Sequence, residues 1–419
     1  MADLILERIQ ERRSVDAGYR PPTTGPRALR QGEPFVNLTD LKRCIGKGDG
    51  TFIEYSLYQD AQQQAAQSGA VNVMDGFVSE VQLAAGENVA PKVAEAAAFA
   101  RANGRRALFF PAHARTFLLN GPTIDISGLR VYGLSSGSAL GSRLKTEAAV
   151  STFATVSAHA TVENLGMEHY GSAGLMIDLI QTEGDLVRNC NLVSLNNTNQ
   201  GALIRIGGSN SYVDDCTISN FSPGQYSILF TRTASRILIN SAVRRTYFGG
   251  PGAGISIGAA PGQARPEGIT ISQCNSVLTG GPLVELSSCL NFRMTDNMVD
   301  QGPASGAILL GPAGQGIMGV SIVGNYISNA SGGNNGGGIV HVGSGAASLT
   351  GMVVMGNEFG YCNTGASFGQ NASLISFVGN YFHDMLTGIS VALFDNAQAK
   401  FGESNLLGPG VVGLTTIGS

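Results

Sequence analysis

Ionisable side chains are scarce in this 419-residue chain: 13% of residues are charged, 30 acidic against 26 basic, with five histidines. Acidic residues that fall close to short apolar runs are Asp178 and Glu285, then Glu163, Glu168, Glu183 and Asp185, the adjacent pair Asp214 and Asp215, and Asp296 with Asp300. Two carboxyl groups that flank one bond can divide the roles of general acid and general base, so the question is which of them a fold brings together. Glu168, His169 and Asp178 form the densest ionisable patch, with Glu168 able to approach Asp178 across a turn. Arginines recur at Arg205, Arg232, Arg236, Arg244 and Arg245. They suit acidic ligands or a subunit interface, and no acidic cage for calcium stands beside them. The six cysteines, at 44, 190, 216, 274, 289 and 362, make neither CxxC pairs nor Cys/His clusters. No metal and no cofactor is implied, and free thiols are expected.

The elements that position these residues announce themselves by repetition. SIVGNYI (321–327), VVMGNEF (353–359) and SFVGNYF (376–382) share the form apolar-x-x-anchor-x-apolar, where the anchor is Asn or Cys. The same form recurs at Cys190, Cys216, Asn240, Cys274, Asn297, Asn325, Asn357 and Asn380, and more weakly at Leu165 and Ser404. Spacings of 23 to 34 residues mark a solenoid. Between anchors lie second apolar blocks such as LMIDLI (175–180), GISIGA (254–259) and PLVELS (282–287), each bounded by Gly, Ser, Asn or Pro. That is strand grammar, and no stretch after about residue 105 carries helical periodicity.

Two or three short strands per coil, stacked coil on coil, make a parallel β-helix, an all-β fold. Equivalent residues of neighbouring coils then lie about 4.8 Å apart, and the anchors form a ladder in which Asn satisfies backbone groups and Cys fills the same column. The outward column of the second block reads Asp178, Arg205, Leu229, Ser256, Glu285, Leu309, His341 and Ser390. Asp178 and Arg205 are neighbours in it. Asp178 and Glu285, four coils apart, are separated by roughly 19 Å and cannot share one substrate bond within a chain. If the strand is regular, Asp214 and Asp215 point to opposite faces. Coils 240–274 and 325–357 are the longest, and Tyr247, Phe248 and Arg265 in the first are candidates for stacking on or bonding to a ligand.

A helix is predicted over 91–106, PKVAEAAAFARANGRR, with an apolar face through Val93, Ala97 and Phe99 and a stop at Gly104. The strand after it carries Phe109, Phe110, Pro111 and Ala112. Helix, FFPA strand and coils together resemble the entry to the pectate-lyase-like right-handed β-helices, which implies that the helix caps the open end of the solenoid. The chain departs from that family where AAGENVAPK stands in place of an aspartate-rich segment before the helix. Residues 1–53 resemble the N-terminal module of bacteriophage tail fibres and tailspikes through Arg12, Arg13, Gly32, Glu33, Pro34, Asn37, Asp40, Ile45, Gly46, Gly48, Asp49 and Gly50. That resemblance implies a small β-rich virion-attachment module, with Arg12, Arg13, Glu33, Asn37, Asp40 and Asp49 as its contact residues. Residues 54–75, with Leu57, Ala61 and Ala65 at helical spacing, read as a neck, and 76–419 as the helix-capped solenoid.

The two resemblances imply a homotrimeric virion protein that joins other tail, baseplate or adaptor proteins by its N-terminus, is assembled in the host bacterial cytoplasm, and recognises host surface polysaccharide. Cleavage of that glycan by a glycoside hydrolase is the alternative, with Asp178, Glu168 and Glu285 as candidate catalytic groups, since hydrolysis needs two carboxyls 5–9.5 Å apart. A lyase reading is weaker, and a purely structural tail role is the third. Arg205, Arg232, Arg244, Arg245, Tyr247 and Arg265 are the candidate glycan-binding residues. A net charge of −4 argues against nucleic acid as partner. The start MADLILERIQERR and the lack of a long apolar run argue against a signal peptide or membrane insertion.

Overall fold

A computed structural model describes residues 12–14, 34–37, 42–46, 52–56, 69–134, 141–172, 174–195, 202–232, 237–259, 263–278, 280–300, 306–312, 315–328, 337–342, 348–394 and 397–416. From residue 107 onward each coil contributes up to three short strands, and these, with Val71–Asn72 at the start of the first sheet, stack in parallel into sheets of 14, 12 and 12 strands. Sheet one ends at Ala399–Phe401, sheet two runs from Phe117–Leu118 to Leu406–Leu407, and sheet three from Ile124–Asp125 to Val412–Thr416. The parallel β-helix expected from the repeat is the fold. Some strands of sheet three, Phe153–Ala154 and Thr364–Phe368 among them, have no counterpart among the apolar blocks read from the sequence; TGASF alternates small residues and offers little apolar signal.

The repeated heptad is now legible atom by atom. Ile322 and Ile327 point into the core and are fully buried, as are Phe377 and Phe382 in the last copy. Each such side chain stabilises the solenoid by roughly 1.5–3 kcal/mol. Between the two apolar residues the chain turns from sheet one to sheet two through a left-handed residue: Gly324, Gly356 and Gly379 have φ of 68°, 63° and 63°. Earlier coils use Asn164, Asn189, Asp215, Arg245, Gln273 and Asp296 at the same corner, with φ between 48° and 57°. Glycine meets this demand without strain, and Asn or Asp at small cost.

The next residue is the ladder. Asn357 Oδ1 accepts from the Asn325 backbone N–H at 2.9 Å and from Asn325 Nδ2 at 2.9 Å, while Asn357 Nδ2 donates to Ile322 O at 2.8 Å and Asn380 Oδ1 at 3.0 Å. The pattern repeats at Asn297, Asn325 and Asn380. Cys190, Cys216 and Cys274 occupy the same column, and their thiols donate to the carbonyl two residues back and to one on the preceding coil, at 3.3–3.8 Å. The cysteine is therefore a weak donor as well as a filler. Cys190, Cys216, Cys274, Cys289 and Cys362 are buried free thiols, and burial pushes the Cys274 thiol up to about 12.

Asn240 is not a member. Thr246 holds that coil's ladder position, receiving the Cys216 N–H at 3.5 Å and accepting the N–H of Asn275 on its carbonyl. Asn240 instead belongs to a second left-handed corner, between sheets three and one, with Asn210, Gly268, Asn291, Gly319 and Gly351. The ladder spacings there become 30 and 28 residues, so the coil entered at Asn240 is not unusually long. The last rung is likewise Asn405 rather than Ser404, since Asn405 Oδ1 receives the Asn380 N–H at 2.9 Å. In sheet three, register carries Glu285 to Leu309, Val340, Ser367 and Ala392, so His341 is inward and buried, and Ser390, on the face of Ala392 but two residues before it, is off the row and buried.

Ahead of the coils lie helices α1 (Glu80–Ala85) and α2 (Ala90–Ala102). The first was not anticipated, although SEVQ spells its capping box: Ser79 and Gln82 bond each other's backbone. In α2 the buried face is Ala90, Val93, Ala96, Ala97 and Ala100, all in the solenoid's core cluster, and Phe99 faces outward against Phe77. The alanines let the helix lie close to the first strands. Arg12–Ser14, Pro34–Asn37, Lys42–Gly46 and Phe52–Ser56 form a separate four-stranded sheet. Residues 54–56 are thus strand, not neck helix, and the rest of that helix, 57–68, lies outside the described residues.

Asn357→Ala removes the acceptor of one buried N–H and a donor to a buried carbonyl, and should cost about 2–4 kcal/mol. Urea unfolding followed by circular dichroism checks it. At Gly356, where a Cβ would meet nothing within 4 Å, Asn should be nearly neutral and Val destabilising by about 1–2 kcal/mol, because only the left-handed φ is at issue.

Candidate functional site

Sheet three presents a row of outward side chains in register: Asp178, Arg205, Leu229, Ser256 and Glu285. Asp178 and Arg205 form a two-pronged ion pair, Nε to Oδ1 at 3.0 Å and Nη2 to Oδ2 at 2.5 Å, with the carboxylate largely buried. Such a fork fixes both groups. Two coils on, the Tyr226 hydroxyl bonds to Ser256 and Glu285, and burial first, then the Glu285 carboxylate, hold its phenol above the ordinary range. Four rungs separate Asp178 from Glu285, so each carboxylate serves its own cluster.

Glu168 lies on sheet two, beside Lys145 in register, and accepts from the Tyr170 hydroxyl at 3.2 Å. Lys145 sits 4.4 Å over the Tyr170 ring and 2.6 Å from Glu147. His169 points into the core. The patch read from the sequence is therefore split among two outward sheets and the interior.

Sheet one carries a charge ladder instead. Glu163, 1% exposed at its side chain, is clasped by Arg130 and, at 2.6 Å, by Arg188. Asp214 and Asp215 do not diverge: Asp215 occupies the left-handed corner, and Arg245 bonds both, at 2.6 Å to Asp214 and 2.7 Å to Asp215. Arg244 stacks 4.7 Å over Tyr212 beside Asp214. Arg244 and Arg245 are thus neutralised by Asp214 and Asp215, and Arg205 by Asp178. Asp185 is buried and structural, accepting from the Ala160 N–H and the Thr182 hydroxyl. Phe248 is a core residue, while Tyr247 is exposed beside it. Arg265 reaches the Gly316 carbonyl at 3.5 Å. The strand Tyr226–Arg232 ends at Arg232, and Arg236 lies outside the described residues.

One cluster escaped the sequence reading. On the outward face of sheet two near its end, His383 Nδ1 bonds to Asp384 at 2.8 Å and Nε2 to Glu358 at 3.1 Å. Its ring stacks on Tyr381 at 4.8 Å and meets the edge of Tyr361 at 5.7 Å. Gly360, its partner in register, leaves the space the ring fills, for a Cβ there would lie 2.6 Å from the ring. The imidazole is 14% exposed and the carboxylates 49% and 58%. Burial disfavours the charged ring, but the two carboxylates outweigh it and hold its pKa above the ordinary value. The signal was NEFGY followed one coil later by NYFHD, which puts Glu, His and Asp on adjacent rungs.

Arg12, Arg13 and Asn37 fall on strands of the N-terminal sheet, whereas Glu33, Asp40 and Asp49 lie outside the described residues. Among the described residues no group of His, Cys, Asp and Glu fits a metal ion, and no helix is long and apolar enough to cross a membrane.

No protein-family model and no curated protein matches the sequence. Solved structures do. The tailspike protein of E. coli bacteriophage HK620 in complex with pentasaccharide superposes with a TM-score of 0.51 at 14% identity, covering 83% of this chain and 80% of that one. A mutant of the same tailspike gives 0.52 at 15%, covering 82% and 81%. The A-module of the Azotobacter vinelandii mannuronan C-5 epimerase AlgE4 gives 0.48 at 14%, covering 83% and 99%. The fold of this chain is that of a tailspike β-helix.

The His383 cluster makes stability depend on pH. Its raised pKa means the stabilisation is fully present below about 6.5, the unfolded value, and is lost as pH rises through the folded value. The melting temperature should therefore carry a component that falls from pH 6 to 9 and is missing in His383→Gln. Titration of the imidazole by NMR gives the direct check: a midpoint below about 6.5 would contradict the clamp.

Proposed function

We propose that this chain is a bacteriophage tailspike or tail-fibre protein whose solenoid recognises polysaccharide on the surface of a host bacterium. The observation that carries the reading is the outward row of sheet three, where the Asp178–Arg205 fork and the Tyr226–Ser256–Glu285 cluster stand on rigid, register-locked strands. Carboxylates, a guanidinium and hydroxyls in fixed positions suit the hydroxyl-rich, weakly hydrophobic surface of a glycan. The tailspike of the same fold in complex with pentasaccharide supports the ligand class.

The remaining parts of the reading are finer. The N-terminal strands, with Arg12, Arg13, Glu33, Asn37, Asp40 and Asp49, join the chain to a tail, baseplate or adaptor protein after assembly in the bacterial cytoplasm. Three copies pack side by side. In support, one outward row of sheet one changes from charged, at Arg188, Asp214 and Arg244, to apolar along the solenoid, ending in Val323, Met355 and Val378, the last two exposed. Exposed apolar patches of this kind mark interaction surfaces.

A depolymerase is the second reading, favoured by one observation. Bonds of 3.1 and 2.8 Å from opposite nitrogens of His383 set Glu358 and Asp384 roughly 7 Å apart, within the 6.5–9.5 Å of inverting glycoside hydrolases. Asp178, Glu168 and Glu285 offer no such spacing on one row.

Incubation with capsule and lipopolysaccharide preparations from candidate hosts, reading binding and new reducing ends together, separates the readings. Binding without new ends, weakened at least about tenfold by Glu285→Gln, is the expected result. New ends abolished by Glu358→Gln or Asp384→Asn establish the depolymerase, and neither signal on any host leaves a structural tail part.

A further inference from the structure

The corner between sheets three and one holds a cleft of about 460 Å³, lined among others by Asn240, Glu267, Thr270, Asn291 and Arg293. Its origin is the left-handed column to which Asn240 belongs. Asn240, Gly268 and Asn291 follow one another on successive coils, with φ of 54°, 65° and 54°. Gly268, the middle one, has no side chain, and a Cβ there would come within 2.9 Å of Asn240 Oδ1. The gap between the two carboxamides is therefore built into the turn, and register brings Thr270 beside Arg293 at its edge.

The charges of this cleft are unlike those elsewhere on the solenoid. Arg130 and Arg188 are held by Glu163, Arg205 by Asp178, and Arg244 and Arg245 by Asp214 and Asp215. Arg293 has no ion pair among the described residues, and neither has Arg265, which precedes Glu267 by two residues and reaches only a carbonyl. Glu267 is the one carboxylate lining the cleft, and it already accepts from Asn291 Nδ2 at 3.2 Å. Among the lining residues the balance is thus one guanidinium free of an ion pair against one carboxylate already engaged by Asn291. The Asn240 carboxamide makes no hydrogen bond to a described residue, and so keeps donors and an acceptor for a ligand.

We propose that this cleft binds an acidic sugar residue, of the hexuronic-acid class, its carboxylate forked by Arg293 and its hydroxyls bonded by Asn240, Thr270 and Asn291. The inference rests on the glycan reading above and specifies the chemistry of one subsite. A planar guanidinium without an internal partner matches a carboxylate in two parallel bonds, which a neutral sugar cannot supply. The three coils spanned by the cleft cover about 10 Å along the axis, room for one or two rings of a chain laid across the rungs.

The test uses oligosaccharides released from uronic-acid-containing bacterial capsules, each paired with its carboxyl-reduced, neutral form, and measures affinity for the full chain by calorimetry. Carboxyl reduction should weaken binding at least about tenfold. Arg293→Gln should weaken binding of the acidic form by a similar factor and leave the neutral form unchanged. Lys400→Gln, on the same outward row of sheet one but outside the cleft, should alter neither. Arg293 is exposed, and an unchanged melting curve shows that the variant folds. Equal affinity for the paired forms, or full affinity in Arg293→Gln, overturns the acidic subsite and leaves glycan recognition standing. No binding of either form to any capsule overturns both.

Discussion

A solenoid of short strands must satisfy its backbone at corners as well as in strands, and at the corner between sheets one and two this chain does so with a single buried column. From Cys190 to Asn380 each rung couples a left-handed residue to a side chain that bonds to backbone groups of its own and the neighbouring coil. Asn fulfils this with all its donors and acceptors engaged between coils. Where Cys or Thr replaces it, fewer bonds are made, and the rungs concerned lie in the earlier coils. A buried amide left without such a partner costs about as much as several exposed contacts contribute, so the register of every outward row follows from this column.

That register decides what the surface can do. Because side chains repeat at fixed positions on each rung, a charge on one coil meets its counterpart on the next, and most ionisable groups on sheets one and three are consumed in such pairs. Glu163 with two arginines, and Arg245 with two aspartates, are cases in which the ladder itself neutralises the surface. Functional capacity then lies where pairing is incomplete or the geometry unusual: the Tyr226–Glu285 cluster, the His383 clamp, and the cleft beside Arg293.

The fold was largely legible because its signal repeats. Ile322, Gly324, Asn325 and Ile327 each have one physical reason to be there, and the same reasons recur in every coil. Asn240 misled because Asn serves two different corners: as a buried ladder amide and as a left-handed residue. Thr246, one hydroxyl in VRRTYF, gave no compositional hint that it held the rung. His341 was misplaced outward because period-two alternation fixes which residues share a face and not which face is inside. The sites were less legible than the fold. Asp178 beside Arg205 follows from coil counting, but the shared partner of Asp214 and Asp215 depends on a corner torsion. The His383 cluster joins residues from two rungs that only register brings together.

Hydrogen–deuterium exchange on the whole chain, with and without the polysaccharide of a host that binds it, tests the central claim that glycan recognition resides on the flank of the solenoid. Protection confined to peptides spanning the middle coils, from Ile177–Leu179 through Val284–Leu286 and the 239–293 corner, is the result this account requires. Protection restricted to the N-terminal strands, or none at all despite binding, would contradict it.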